Sequence, residues 1–365
     1  MRKIYTIVFT IIMLLISIEI YSNYKDTKVS INFDEVRQES KEEKKLREFI
    51  FTKMIDSNGG VFTNYLDGEN EGDITKGHFV LSESQGMLLQ YYLKVDNEDL
   101  FERTVNYISE NMMLDNGLIS WRINKGLKEE SSATIDELRI ILALLKGADK
   151  YNIAEYKDLA INISECLYDN VIKDNYIVDF KDKYGCARVS TVCYQDIEAL
   201  KRLTDIDSKW EPILKKSIEV VKGAFIDDNI PLYKREFCIE NLSYDNEHID
   251  MLLSTITIRN LAMSGEDVTK SIQWIKNRFQ SDKVIYTSYN RETGQTECEC
   301  ESTSIYAIIC DIANIVNDRE LYNLSKKRML MFQIVERNNE LYGAFGDKEK
   351  RAVYSFDNLN ALIAL

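Results

Sequence analysis

Apolar residues recur at three- and four-residue spacing through most of the chain, and loops rich in Asp, Asn and Gly separate the periodic stretches. That spacing belongs to helices with one face in a core. It predicts twelve of them, at 42 to 56, 83 to 95, 99 to 113, 135 to 149, 154 to 169, 191 to 204, 210 to 225, 246 to 262, 266 to 279, 302 to 316, 319 to 333 and 356 to 365. Four segments are apolar all the way round, as a helix buried on every face must be: Met87 to Tyr92, Ile140 to Leu145, Met251 to Ile256 and Ile305 to Ile309. Every second predicted helix begins near 83, 135, 191, 246, 302 and 356, so the unit is two helices in about fifty to sixty residues. Helical solenoid repeats are shorter, about 34 to 47 residues, with uniform loops. The long, uneven loops here predict an all-α fold in which six hairpins close into an (α/α)6 barrel, with one helix of each hairpin inside and a cleft at one mouth. If the hairpins instead stack without closing, the reading becomes an α-helical interaction scaffold. Only minor β structure is expected, in loops near the cleft such as 284 to 300.

The first residues do not belong to that pattern. Arg2 and Lys3 precede an apolar run from Ile4 to about Ile18, the layout of a secretory signal peptide or an uncleaved anchor. The expected organisation is a leader over 1–22, a polar linker over 23–37 and a barrel domain over 38–365. Contact with the membrane is expected only through the N-terminal segment, and the location is extracellular or cell-surface.

Composition narrows the chemistry. The 365 residues are 45% hydrophobic and 29% charged, which is ordinary for a globular chain. With 46 Lys plus Arg against 60 Asp plus Glu, the formal charge is -14, the wrong sign for wrapping phosphate backbones, so no nucleic-acid partner is expected. Two His leave little scope for zinc sites, and only two Pro leave the helices almost uninterrupted. Asp207 and Ser208 ahead of Pro212 read as a helix start. Seven scattered Cys do not resemble a disulfide scaffold, and the close pair Cys298 and Cys300 lacks a second pair or a nearby His, so no metal is assigned there. The acids from Asp67 to Asp73 imitate a calcium loop, but its twelfth position is His78 where a bidentate Glu is needed. No phosphate loop, nucleophile elbow or zinc-protease motif occurs, and no cofactor is expected.

The informative pattern is the acids at the predicted inner-helix starts: Glu83, Asp136 with Glu137, Asp245 with Glu247, Glu301 and Asp357. Any one of them is explained by helix capping, since an acid there accepts amide hydrogens and opposes the helix dipole. As a set they converge, because a barrel gathers all inner-helix N-termini at one mouth. Crowded carboxylates repel, some keep their protons, and an acid facing an ionised base is what cutting a glycosidic bond requires.

Here the sequence resembles family 8 glycoside hydrolases. Ser82-Glu83-Ser84-Gln85-Gly86-Met87 is similar to their Ser-Glu-Gly-Gln signature, and Ala133-Thr134 through Leu145 to their Ala-Thr-Asp-x-Asp helix. The likeness is closer to a divergent bacterial group encoded with exopolysaccharide synthesis genes, through Ile135-Asp136-Glu137, Tyr244-Asp245-x-Glu247, Glu301-Ser302-x-Ser304 and Ser355-Phe356-Asp357-Asn358. The resemblance spans about residues 59 to 365. It implies an (α/α)6 barrel, an inverting and endo-acting hydrolase, a polysaccharide substrate, and the exopolysaccharide synthesis machinery as a partner. It makes Glu83 the general acid and Asp245 the base, with Asp136 hydrogen-bonding the distorted sugar. The chain departs from the family where Asp136 and Glu137 are adjacent, so Glu137 rivals Asp136, and where His248 replaces an Arg, so Glu247 rivals Asp245. A weakened base would leave a non-catalytic glycan-binding protein on the same barrel. Phe62, Tyr65, Trp121, Tyr244 and Tyr289 are candidate faces for stacking on sugar rings, and Gln85, Arg139, Glu301 and Asp357 complete the expected binding set. Glu247 is expected to pair with a basic side chain such as Arg139.

Overall fold

The computed structural model describes residues 39–68 and 76–365. The expected leader and linker, and the acids between 69 and 75 of the imitation calcium loop, lie outside the described residues. Twelve α-helices are present there: α1 Lys41–Phe49, α2 Ser82–Val95, α3 Glu98–Asn111, α4 Thr134–Tyr151, α5 Ala154–Val171, α6 Ile197–Ile206, α7 Glu211–Ala224, α8 Met251–Met263, α9 Thr269–Ser281, α10 Thr303–Ile315, α11 Arg319–Met329 and α12 Ser355–Ala364. Each predicted helix has its counterpart. Asx side chains set the starts of several: Asn97, Asp196, Asp250 and Asp318 accept from the amides of Leu100, Ala199, Leu253 and Leu321, each three residues on.

The even-numbered helices form a ring. Their contacts run α2 to α4, α4 to α6, α6 to α8, α8 to α10, α10 to α12 and α12 back to α2, so the hairpins close rather than stack openly. Outside them, α3 packs on α2, α5 on α4, α7 on α6, α11 on α10, and α1 on α12. The all-round apolar segments are where burial requires them: Met87, Leu88, Leu89, Ile140, Ile141, Leu142, Ile305, Ile308 and Ile309 are all at most 2% exposed.

The β content is eleven strands of two or three residues, arranged as three three-stranded sheets and one hairpin among the described residues. The expected strands in 284 to 300 are there: Ser288–Tyr289 pairs with both Ile249–Asp250 and Thr296–Cys298. Two inner helices start later than the periodicity predicts, for the same reason. Residues 189 to 191 are strand β6 and 192 to 194 a 3-10 turn, so α6 begins only at Ile197. There Glu198 pairs with Lys146, three turns into α4. Residues 249 and 250 are strand β9, so α8 begins at Met251. A further correction concerns the thiols, since Cys298 and Cys300 are joined in a disulfide.

Candidate active site

Strand β1, Phe79–Leu81, leads straight into α2, and the Ser82 amide donates to the Trp121 carbonyl at 3.0 Å. Glu83 is therefore fixed in the first turn of α2 at the ring's inner edge, half-buried. The capping explanation fails for this group of acids: α2, α4, α10 and α12 carry no side-chain cap of their own, and their acids reach across to neighbouring segments. Asp136 Oδ2 accepts from Ser82 Oγ at 2.6 Å, joining α4 to α2, and its Oδ1 pairs with the Arg139 guanidinium at 2.7 Å. Asp357 Oδ1, on α12, accepts from the Ser304 amide at 3.1 Å and hydroxyl at 2.5 Å on α10. Ser84 and Ser355 share a hydrogen bond of 2.9 Å between α2 and α12. The N-termini of four inner helices thus meet around Glu83.

That crowding has an electrostatic consequence. Burial, together with the Asp136 and Asp357 carboxylates and against the opposing charge of Arg139, pushes Glu83 up to about 7. Asp136 and Asp357 are also raised, in both cases chiefly by burial. A carboxyl near 7 is partly protonated at neutral pH and can donate.

Glu137, the rival to Asp136, does not face this space. It is fully buried, Oε1 accepts from the Ile119 amide at 2.9 Å, and Oε2 has no hydrogen-bond partner. Burial pushes it up to about 8. Adjacent residues on a helix diverge by about 100° around the axis, so only one of the pair can point inward. Because Glu137 is raised from a usual 4.5, its contribution to stability is full below about pH 4.5 and is lost as pH rises through about 8. Glu137→Gln should remove this dependence. The variant is expected to gain on the parent by a few kcal/mol between pH 5 and pH 8, as read from urea midpoints at both pH values.

The two candidate bases, Asp245 and Glu247, both lie ahead of α8, which starts at Met251. Asp245 lies five residues ahead of Asp250, the N-cap of α8, just after the hairpin of β7, Glu236–Cys238, and β8, Ser243–Tyr244. Its Oδ1 accepts from the Arg235 and Glu236 amides at 3.1 and 2.8 Å, which ties the open end of that hairpin together. Glu247 is exposed and pairs with Arg235 at 3.2 Å rather than with Arg139. The acid at the start of α8 is Asp250: it ends strand β9, and its side chain accepts from the Leu253 amide at 3.1 Å. In the ring order, α8 stands opposite α2. An Asp immediately before an apolar run is a sequence signature of an N-cap, and it marks Asp250 rather than Asp245.

Two further groups had no sequence signal. Because α6 starts deep in the barrel, the 3-10 turn before it carries Tyr194 into the mouth, where it lies in the field of Asp179, Asp136 and Glu83 and burial raises its hydroxyl well above the usual tyrosine range. Asp179 accepts from the Thr191 amide and hydroxyl, both at 2.6 Å, and burial pushes it up to about 6. Its carbonyl accepts from the Thr134 amide at the start of α4.

The remaining expected contacts divide. Trp121, half-buried, stays beside the acid through Ser82, with the Arg122 guanidinium 4.3 Å from its ring centroid. Arg139 is in the cluster. Gln85 is fully buried inside α2. Tyr289 is a core residue, 0% exposed and packed edge-on against Trp274. Tyr244 docks on α7, its hydroxyl donating to the Val220 carbonyl at 2.7 Å and its ring against Phe237. Phe62 stacks on His78 in a separate side cavity. Tyr65 donates to Glu340 at 3.1 Å. Glu301 precedes α10 and is held by Arg328 and Tyr306, both at 2.5 Å. Of these, Tyr289 and Tyr244 are packed against neighbouring aromatic rings, as large aromatics commonly are.

Comparison with known proteins decides what kind of barrel this is. No family model matches the chain. Among solved structures it is similar to a protein described as a novel alpha-amylase from Clostridium perfringens, 42% identical, with a TM-score of 0.86 over 90% of this chain and 98% of that one. The chain belongs to the same family as that protein. Its fold is that of family 8 glycoside hydrolases, shared with endoglucanase Cel10, a family 8 glycosyl hydrolase from Klebsiella pneumoniae, at 11% identity and a TM-score of 0.61 over 87% of this chain and 97% of the other. Among curated proteins it is similar to the putative lipoprotein YdaJ of Bacillus subtilis, 24% identical over 327 residues, covering 87% of this chain and 84% of that protein.

Proposed function

We propose that the protein is an inverting glycoside hydrolase, secreted or membrane-anchored through residues 1–22, that cuts the cell's own exopolysaccharide internally with the domain from 38 to 365. The observation that carries this reading is Glu83: a carboxyl at the barrel mouth, crowded by Asp136 and Asp357 and pushed up to about 7. Glu83 protonates the leaving oxygen, Asp250 across the ring activates the water, and Asp136, oriented by Ser82 and Arg139, hydrogen-bonds the sugar at the point of cleavage. Tyr194, in the field of Glu83 and Asp136, is a further candidate hydrogen-bond donor to the sugar. In a sugar complex the Glu83 and Asp250 carboxyls are expected about 6.5 to 9.5 Å apart, the inverting separation that leaves room for a water.

The amylase from Clostridium perfringens makes α-linked glucose the first linkage to test. The lipoprotein relative supports a cell-surface location, where the exopolysaccharide synthesis machinery would be a neighbour. Purified protein should release reducing ends from amylose and from the host's extracted exopolysaccharide. Binding to both without release would replace this reading with a glycan-binding protein on the same barrel, the alternative favoured by Asp245 standing away from the mouth.

A further inference from the structure

A groove of about 450 Å³ runs between residues 113 to 116, the end of the hairpin formed by β2, Arg122–Asn124, and β3, Leu127–Lys128, and the turn at 181 to 186. Backbone bonds connect it to the acid's helix in steps: Ser82 N to Trp121 O at 3.0 Å, Trp121 N to Ser131 O at 2.9 Å, and Ser132 N to Lys181 O at 2.9 Å. Three steps of at most a strand spacing each place the groove within about 14 Å of the start of α2. That is within reach of the polymer chain being cut.

The turn is built to hold its tip still. Lys181 and Cys186 form a β-bridge, Asp182 N donates to Gly185 O at 2.9 Å, and Asp182 Oδ1 accepts from the amides of Tyr184 and Gly185, both at 2.8 Å. The tip carries Tyr184, which at 86% is the most exposed large apolar side chain among the described residues. Lys183 lines the groove, and its ammonium lies 5.2 Å from the Tyr184 ring centroid, so the ring stands at the groove's edge. An aromatic face on a stiff turn loses little entropy when a flat apolar sugar face stacks on it.

The lining charges are balanced. Lys128, Lys181 and Lys183 face Asp115, Glu130 and Asp182. Two of the lysines are tied back, Lys128 to the Met113 carbonyl at 2.6 Å and Lys181 to the Asp182 carbonyl at 3.0 Å. Such a lining offers donors and acceptors in equal measure with no net field, on a chain whose formal charge is -14. It suits hydroxyl groups and gives no attraction to a polyanion.

We propose that this groove, with Tyr184 as its stacking platform, is a second glycan-binding site that holds an uncharged stretch of the polysaccharide outside the catalytic mouth. The inference extends the hydrolase reading by making the substrate a neutral polymer. It is tested on the full chain carrying Glu83→Gln, so that the probe is not consumed, by retardation in native gels containing amylose or, separately, the polyanion hyaluronan. Amylose should retard the protein and hyaluronan should not. Adding Tyr184→Ala with Lys183→Ser should weaken the retardation by roughly tenfold, with Lys128→Ser on the opposite wall as a second variant and matched thermal melting as the folding control. Retardation by amylose unchanged in both variants, or stronger retardation by hyaluronan, overturns the site. If wild-type protein releases no reducing ends while the Tyr184-dependent retardation persists, the hydrolase reading fails and the groove stands.

Discussion

Glu83→Gln leaves the barrel folded and lowers turnover on polysaccharide by roughly a hundred- to ten-thousand-fold, the worth of a positioned general acid. The amide matches the carboxyl in shape but has no acidic proton to give. The pH dependence follows from the same residue. Glu83 must be protonated to act, and burial together with the surrounding carboxylates pushes it up to about 7, so wild-type activity should fall as pH rises through about 7. Substrates with good leaving groups need little protonation and should lose much less in the variant. Full activity of Glu83→Gln on polysaccharide would remove the residue from the mechanism.

Asp250→Asn should cost about as much, roughly a hundred- to ten-thousand-fold, because an amide cannot take a proton from water. The fold is protected in this substitution, since Asn caps a helix as well as Asp and can still accept from the Leu253 amide. Loss of activity with an unchanged melting temperature therefore reads as chemistry. Asp245→Asn is the comparison: its carboxylate ties a turn through two amides, so activity should stay within a few-fold. A large loss at Asp245 with none at Asp250 would reverse the assignment.

The barrel was legible in the sequence because its two kinds of helix have different solvents. Inner helices see protein on every side and read as apolar all round, and the spacing of every second helix gave the number of hairpins, while the long, uneven loops pointed to closure. The position of Glu83 at the start of α2 was legible because it stands in a local motif. The residue at the start of α8 was not, because the identity of a helix N-cap depends on where the helix starts, and a two-residue strand displaced that start from 246 to Met251. Tyr194 was invisible for a related reason: the periodicity ran on through 191 to 194, where the chain forms the end of a strand and a 3-10 turn; Asp179 lies between predicted helices, where no periodicity marks it. The packing of Tyr289 and Tyr244 was not legible because it depends on hydroxyls that reach backbone partners.

The contact of α12 with α2 has a consequence for how the chain becomes a barrel. A growing chain that has reached Tyr354 holds five of the six inner staves, with the flank of α2 bare and the Asp357 carboxylate absent from the mouth. The last stave joins elements more than 250 residues apart in sequence, so the core cannot be completed piecemeal as synthesis proceeds. A barrel that shuts only when this sixth stave arrives stays open for as long as the first five are being made.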